Sequence, residues 1–252
     1  MKIIIYLAFG GLSACASVKE QEKPHHDWSI SITDNIVIPG NVVETKLFSF
    51  RDNMSLVLNT VTGKFGFVNP KGEIVIPCMY DDVKKFYCGR AAVFEAETGK
   101  WGFINRENKL IVPFIYDFVS NFGYDRDGDI GFDGLAYVNI GISENGRTLI
   151  ITDGKWGLIN TDGEVILPVK YGDIARPIEN MAYIVDGNRA DMFPAGGGGA
   201  VAKIGFVNRK GEIVIPTEYD YDYGAYFDVG YVTLKKDGVA FKFNMKGEIV
   251  DE

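Results

Sequence analysis

Residues 155–171 show the pattern that repeats along most of the chain. Between residues 155 and 159 apolar side chains alternate with lysine and glycine, the period of a half-buried strand. The polar run Asn160–Gly163 separates this stretch from a second apolar one, which predicts a hairpin loop with positive φ at its last residue. Residues 164–167 form the predicted return strand. Pro168 has no N–H for a ladder, so we expect it at a strand end or sheet edge.

Four further segments resemble this hairpin. Three are good copies and the fourth is degenerate: Lys64–Tyr80, Lys100–Tyr116, Lys203–Tyr219 and Val239–Val250. The loop glycine recurs as Gly72, Gly211 and Gly247, and the remaining copy has Asn108, which tolerates left-handed backbone. A third strand is predicted before each hairpin, at residues 54–57, 90–93, 135–138, 181–184 and 231–234. Each repeat is therefore predicted to be a three-stranded antiparallel meander.

The loop asparagines show that one period underlies the copies. Asn69, Asn105, Asn160, Asn208 and Asn244 are separated by 36, 55, 48 and 36 residues. Three insertions, at residues 121–134, 142–151 and 186–202, account for the two longer spacings. Loops that break a repeat add entropic cost without obvious packing, so we expect contacts with partners on these insertions.

The run K-W-G-F-I-N, a loop, E-I-V-I-P and a Tyr resembles the bacterial WG-repeat family from about Ile36 to the C-terminus. Phe65 and Ile204 replace the tryptophan, and the last copy has lost both Trp and Gly. The resemblance implies an all-β tandem array of about five meanders over residues 28–252. Both an open superhelical array and a propeller-like ring are compatible with it, and it implies no catalytic residue.

The first residues resemble a bacterial lipoprotein signal peptide. A short apolar run leads to Leu-Ser-Ala-Cys, so residues 1–14 are predicted to be removed and Cys15 to be lipidated, with palmitate among its acyl chains. Residues 15–27 are polar and predict a tether. The expected location is the cell envelope, and the outer membrane in a Gram-negative cell. The membrane lipid held through Cys15 is the first predicted partner.

Candidate ligand residues are few. His25 and His26 are the only histidines and lie in the tether, without further ligands for a metal site. Asp125, Asp127, Asp129 and Asp133 alternate as calcium ligands do, but Ile130 and Ala136 occupy the EF-hand glycine and acid positions. A calcium loop and an acidic surface turn both remain open. No cofactor is predicted.

Cys78 and Cys88 are ten residues apart, and their spacing is compatible with a disulfide in an oxidising envelope or with two buried thiols. The net charge is −8 and no basic stripe appears, which argues against nucleic acid as a partner. Aromatic residues concentrate in residues 114–124 and 219–227. A thin β core needs such side chains, and this interpretation is preferred to a sugar- or peptide-binding surface.

Two functions fit the sequence. The first is an envelope-anchored binding or scaffold module whose partner is a protein or polysaccharide of the envelope, with no enzymatic activity. The second is a divergent, hydrolase-like envelope enzyme that uses acidic residues on the inserted loops, which requires two carboxyl groups held about 5 to 10 Å apart. The sequence shows no such pair. The oligomeric state is not predicted.

Overall fold

A computed structural model describes residues 42–44, 50–124, 131–141, 154–192 and 199–250. The predictions for the signal peptide, Cys15, the tether with His25 and His26, and the aspartates 125, 127 and 129 lie outside these residues. The regular secondary structure of the described residues is almost entirely β-strand. The one helix among them, α1 (Arg189–Met192), is a single turn. None of the described helical structure has the length and apolar character needed to cross a membrane.

Eighteen strands follow in chain order within the described residues. Those of the first two sheets are β1 (Val42–Glu44), β2 (Ser55–Asn59), β3 (Phe65–Val68), β4 (Ile74–Tyr80), β5 (Asp82–Val83), β6 (Ala91–Glu95), β7 (Lys100–Ile104) and β8 (Leu110–Tyr116). The others are β9 (Phe118–Val119), β10 (Leu135–Ile140), β11 (Lys155–Asn160), β12 (Val165–Tyr171), β13 (Asp173–Ile174), β14 (Met181–Asp186), β15 (Lys203–Asn208), β16 (Ile213–Asp220), β17 (Tyr231–Lys236) and β18 (Val239–Asn244).

The strands form five antiparallel sheets, and we number the repeats as units 1 to 5. Four sheets have the orders β1-β2-β3-β4, β5-β6-β7-β8, β9-β10-β11-β12 and β13-β14-β15-β16, and the fifth pairs β17 with β18. The predicted three-stranded meander is therefore present in units 1 to 4, which add one strand, whereas unit 5 has two strands among the described residues. In units 2 to 4 the added strand has two residues. So short a strand shows no alternation, and the sequence did not reveal it.

The predicted hairpin loops are confirmed. Gly72, Gly163, Gly211 and Gly247 have φ between 76° and 84°, and Asn108 has φ of 60°. The loop asparagines do more than mark the register, because each side-chain oxygen accepts two backbone N–H bonds within its own loop at 2.8–3.1 Å. This bonding satisfies donors that the turn leaves unpaired.

The last strand of units 1 to 4 differs from the prediction. It does not end at proline: β12 continues from Val165 through Pro168 to Tyr171. The proline is tolerated because β12 is the edge strand of its sheet and bulges at this point. Between the pairs Trp156–Tyr171 and Leu158–Leu167, one residue of β11 faces three residues of β12.

The bulge explains the glycine that follows tryptophan in the repeat. A Cβ atom built on Gly157 would lie 2.6 Å from the carbonyl oxygen of Leu167. The same contact would occur at 2.5 Å between Gly66 and the Ile76 carbonyl, and at 2.6 Å between Gly102 and the Val112 carbonyl. Since these carbonyl oxygens belong to the backbone, no side-chain rotation relieves the clash with the added Cβ atom. The glycine is therefore required by packing, and its own φ is not positive.

The apolar cores lie between consecutive sheets. One core joins side chains of units 1 and 2, and others join units 2 with 3, 3 with 4 and 4 with 5. Aromatic pairs cross three of these boundaries, with ring centroids 4.8 Å apart in Phe67–Phe86 and Phe103–Phe122 and 5.2 Å apart in Phe206–Phe227. Each core is thus formed by two neighbouring sheets, as in other repeat proteins.

The repeat tryptophans belong to these cores. Trp156 is fully buried and Trp101 is 4 % exposed. In the two aromatic-rich stretches, Tyr116, Phe122, Tyr219 and Phe227 are buried as predicted. Two tyrosines depart from that pattern, since Tyr223 and Tyr226 are exposed.

Unit 5 ends the array with a polar face. In unit 3, Leu135, Tyr137 and Leu158 pack against unit 4. Their register equivalents in unit 5 are Tyr231, Thr233 and Lys242, all of them exposed. Extensive contacts between the described strands join consecutive units only. The described residues therefore form an open array, and a ring that closes unit 5 on unit 1 is not present among them.

A disulfide between Cys78 and Cys88, one of the two alternatives that the sequence leaves open, is not formed, because Cys78 has a free thiol. The two residues pack in different places. Cys78 lies against Val57 and Val68 of unit 1, whereas Cys88 packs against the core between units 2 and 3. Burial raises the pKa of the Cys78 thiol, and a hydrogen bond with the Asn59 backbone opposes this effect. The thiol is therefore less readily ionised than a free cysteine.

We predict that Gly157→Ala lowers the free energy of unfolding by about 3 kcal/mol, because its methyl group would collide with the β12 backbone. Gly199→Ala is the matched control, since nothing lies within 4 Å of a Cβ there. It should change stability by less than about 0.5 kcal/mol. Chemical denaturation of both variants measures the difference. Equal midpoints would contradict the proposed role of the bulge.

Candidate interaction surfaces

The two ends of the strands form two different edges of the array. We call one the turn edge, where the hairpin loops with the asparagines lie. The opposite end, the junction edge, carries the loops between the second and third strands of each sheet and the Tyr-Asp step into the next unit. Because neighbouring strands are antiparallel, all units place equivalent loops on the same edge.

Tight two-residue turns occupy the turn edge before the second strand of units 1, 2, 4 and 5. Their central residues both have positive φ: Asp52–Asn53, Cys88–Gly89, Glu179–Asn180 and Val229–Gly230. Such type I′ turns favour Asn or Gly at the second position. Asn or Gly at the second turn position, just before a predicted strand, is therefore a sequence signal for these turns.

Polar contacts at this edge tie each unit to the next. The Asp52 carboxylate accepts a hydrogen bond from the Gly89 N–H at 2.6 Å and lies 3.7 Å from the guanidinium of Arg106. The Arg90 guanidinium donates to the carbonyl of Thr161 at 2.7 Å. The Glu179 carboxylate accepts from two backbone N–H groups of unit 5. The turn of one unit therefore fixes the loops of its successor.

Asp133, the one calcium candidate that the structure describes, takes part in this pattern. Its carboxylate is 2.6 Å from the guanidinium of Arg209, a residue of the unit 4 hairpin loop. Within the described residues, no group of three or more His, Cys, Asp or Glu side chains is arranged to hold a metal ion. In this arrangement Asp133 serves as a contact between units 3 and 4.

The hairpin loops are also seated on the preceding unit. A Cβ atom on Gly163 would lie 2.9 Å from Cγ2 of Val112, and one on Gly211 would lie 2.7 Å from Cγ2 of Ile166. Glycine is therefore favoured here for close packing as well as for positive φ. Asn108 occupies this position in unit 2, where its side-chain oxygen accepts a 2.7 Å hydrogen bond from the Tyr80 hydroxyl.

Lysine and aspartate pair at the junction edge with a constant spacing. The lysine that begins the third strand lies 2.5–2.6 Å from the aspartate 17 residues later in Lys64–Asp81, Lys100–Asp117 and Lys203–Asp220. The second carboxylate oxygen of Asp117 accepts from the N–H of Gly141 in the next sheet. In unit 3 glycine replaces this aspartate, and Lys155 donates to the Gly187 carbonyl instead.

The predicted insertions divide between the two edges. The described residues 121–124 and 131–134 lie at the turn edge, whereas 186–192 and 199–202 lie at the junction edge between the second and third strands of unit 4. The structure describes residues 186–192 and 199–202 of the last insertion, and none of residues 142–151. The Asp191 carbonyl accepts from the N–H groups of Val201 and Ala202, which closes the base of that loop.

An exposed aliphatic side chain follows the hairpin loop in every unit, at the start of the return strand in units 1 to 4 and at an isolated bridge in unit 5. These residues, which we call the aliphatic row, follow the hairpin loop at equivalent positions and are 38–57 % exposed: Ile74, Leu110, Val165, Ile213 and Ile249. Single exposed apolar residues are common on protein surfaces, but a position that repeats five times is not a chance exposure. The row was not identified from the sequence, where these residues were assigned only to strands.

Lys84 and Tyr87, two groups with shifted pKa values, lie at boundaries between units. The Lys84 ammonium lies 5.1 Å from the centre of the Trp101 ring and 5.2 Å from that of Phe118. Burial lowers the pKa of Lys84, and the charge of Asp82 opposes this effect. Burial, followed by its hydrogen bond with Tyr124, raises the pKa of Tyr87 to about 12. These groups lie at unit boundaries and are explained by packing.

We predict that Asp117→Ala lowers the free energy of unfolding by about 1.5 kcal/mol, because the aspartate is 15 % exposed and bonds both Lys100 and Gly141. The control is Asp220→Ala. Asp220 is 45 % exposed and pairs with Lys203, so its loss should cost less than about 1 kcal/mol. Thermal unfolding compares the two variants, and an equal loss would show that the junction bond adds nothing.

Comparison with solved structures gives low similarity scores. The nidogen/laminin complex matches with 8 % identity and a TM-score of 0.31, covering 81 % of this chain and 76 % of that one. The β-propeller domain of the trilobed protease from Pyrococcus furiosus matches with 12 % identity and a TM-score of 0.25, covering 80 % and 78 %. With TM-scores this low, we draw nothing from these structures for this chain.

Comparison with sequences gives a clearer result. No curated protein matches the chain. The model of the WG containing repeat matches residues 65–95, 101–128, 156–189 and 204–239, which together make up slightly more than half of the 252 residues. These segments coincide with the hairpins that contain the strand bulge and the glycine beneath it. The chain therefore belongs to the WG containing repeat family.

Proposed function

We propose that this protein is a binding module of the cell envelope, anchored by lipid on Cys15, that captures a protein partner along its aliphatic row. The proposal includes no catalytic step. Residues 15–27 act as the tether between the lipid and the repeats. In a Gram-negative cell the location is the outer membrane.

The observation that supports this proposal is the exposure of the aliphatic row. The cores between sheets are filled by other side chains, so folding alone gives no reason to leave one large apolar residue in water at the same position of each unit. Leu110 is 42 % exposed and Val165 is 54 % exposed. Burial of apolar area on a partner contributes about 25 cal/mol per Å² before the costs of association.

The arrangement of the row suits an extended partner. Tandem repeats place equivalent side chains at regular intervals along an array, which provides a long surface from small units. The side chains lie beside the hairpin loops, and contacts between units fix those loops. A preformed surface loses little conformational entropy on binding. The described residues of the insertion at 186–202 lie at the junction edge, away from this row, and the insertions would add specificity for the same or another partner.

We predict that replacing Leu110, Val165 and Ile213 by Ser abolishes partner capture from an envelope extract, because it removes the apolar contacts without disturbing a buried side chain. The control replaces Val61, Val201 and Val239 by Ser, which are 79 %, 68 % and 56 % exposed but outside the row. Quantitative mass spectrometry of captured proteins compares both triple variants with the wild type. If the row variant captures the same proteins as the control, the proposed surface is wrong.

We predict that Cys15→Ser releases the protein from membranes, because serine cannot form the thioether to diacylglycerol and the acyl chains are lost. Fractionation of cells that express the wild type or the variant measures the membrane-bound share. Cys78→Ser is the control, since Cys78 lies in the folded repeats. A Cys15→Ser protein that stays with the membrane as the wild type does would contradict the anchor.

A further inference from the structure

Residues 221–230, which open unit 5, depart from the repeat. The equivalent segments of units 2, 3 and 4 form the short strands β5, β9 and β13, whereas this one forms no strand. It is also longer. From Tyr80 to the turn residue Tyr87 is 7 residues, and from Tyr219 to the equivalent Asp228 is 9. Unit 5 thus loses a pairing that other units have and gains two residues.

Bonds and buried side chains fix this segment in place. The Asp222 side chain accepts from the N–H of Gly224 at 2.8 Å, and its carbonyl accepts from Ala225. Ala225 is buried, and Phe227 is 1 % exposed with its ring 5.2 Å from Phe206 of unit 4. The following turn is held by the Glu179 carboxylate. Both ends of the segment are therefore attached to unit 4.

Two tyrosines project from this fixed backbone. Tyr223 is 74 % exposed and Tyr226 is 53 % exposed, while Ala225 and Phe227 beside them face the core. The segment would fill the core equally well without these rings, because its anchors are the other two side chains. Tyrosine supplies a large, rigid contact surface with few rotatable bonds, so its rings lose little entropy on binding.

The groups around the rings indicate the ligand. Asp222 and Asp228 are exposed on either side of the pair and add acceptors and negative charge to a chain whose net charge is −8. Charged residues are depleted at the core of protein interfaces, and a polyanion would be repelled. A pyranose ring offers C–H groups for the aromatic faces and hydroxyl donors for the carboxylates. We propose that Tyr223 and Tyr226 form a binding site for a neutral polysaccharide.

This site is separate from the aliphatic row and does not depend on it. The test titrates the purified full-length protein with maltohexaose, cellohexaose and chitohexaose by isothermal calorimetry. We expect one of the three to bind, and Tyr223→Ala with Tyr226→Ala to weaken it about tenfold or more, since two stacking contacts are lost. The double Phe variant keeps the rings and should stay within about threefold of the wild type.

Val229→Ala is the surface control, because Val229 is 79 % exposed in the adjoining turn, and it should leave binding unchanged. Melting temperatures of all variants confirm that they fold. Absence of binding by all three hexasaccharides, or binding that the double Ala variant retains, overturns the proposal. Loss of a captured envelope protein in that variant, with no hexasaccharide bound by the wild type, would assign the segment to a protein partner instead. Neither result bears on the aliphatic row.

Discussion

The structure depends on the close approach of two backbones within each sheet. The return strand bulges at its proline, and its carbonyl lies where a side chain of the third strand would otherwise stand. Only glycine fits beneath it, at Gly66, Gly102, Gly157 and Gly205. The bulge bends the edge strand and increases its local twist. One close backbone contact therefore determines which residue each unit carries at this position.

Stability is distributed along the array. Each core needs side chains from two sheets, and hydrogen bonds at both edges connect the same pair of units. Extensive contacts between described strands stay within a unit or join consecutive units, so the interactions are close to those of a one-dimensional stack. Local damage to one unit should then affect its two neighbours more than the rest. The insertions are tolerated for the same reason, because they leave from edges and do not cross a core.

Much of the fold could be predicted from the sequence, since the repeats provide several observations of each position. Gly163 and its equivalents identified the hairpin loops, and Asn108 in the same place confirmed the backbone conformation. The two-residue strands were missed because they are too short to alternate. The sequence could not decide whether Cys78 pairs with Cys88, because ten residues of separation say nothing about which core each side chain enters. Exposure of the aliphatic row and of Tyr223 depends on packing between units, which periodicity alone does not describe.

The polar face of unit 5 affects how one molecule of this protein can contact another. An apolar sheet at that end would match the face that each inner unit offers to its predecessor, so one molecule could stack head to tail on another. Such a contact does not close, and it would lead to filaments. Thr233 and Lys242 stand in place of the buried Tyr137 and Leu158 of unit 3. The face of unit 5 therefore offers less apolar area for such stacking than the face of an inner unit.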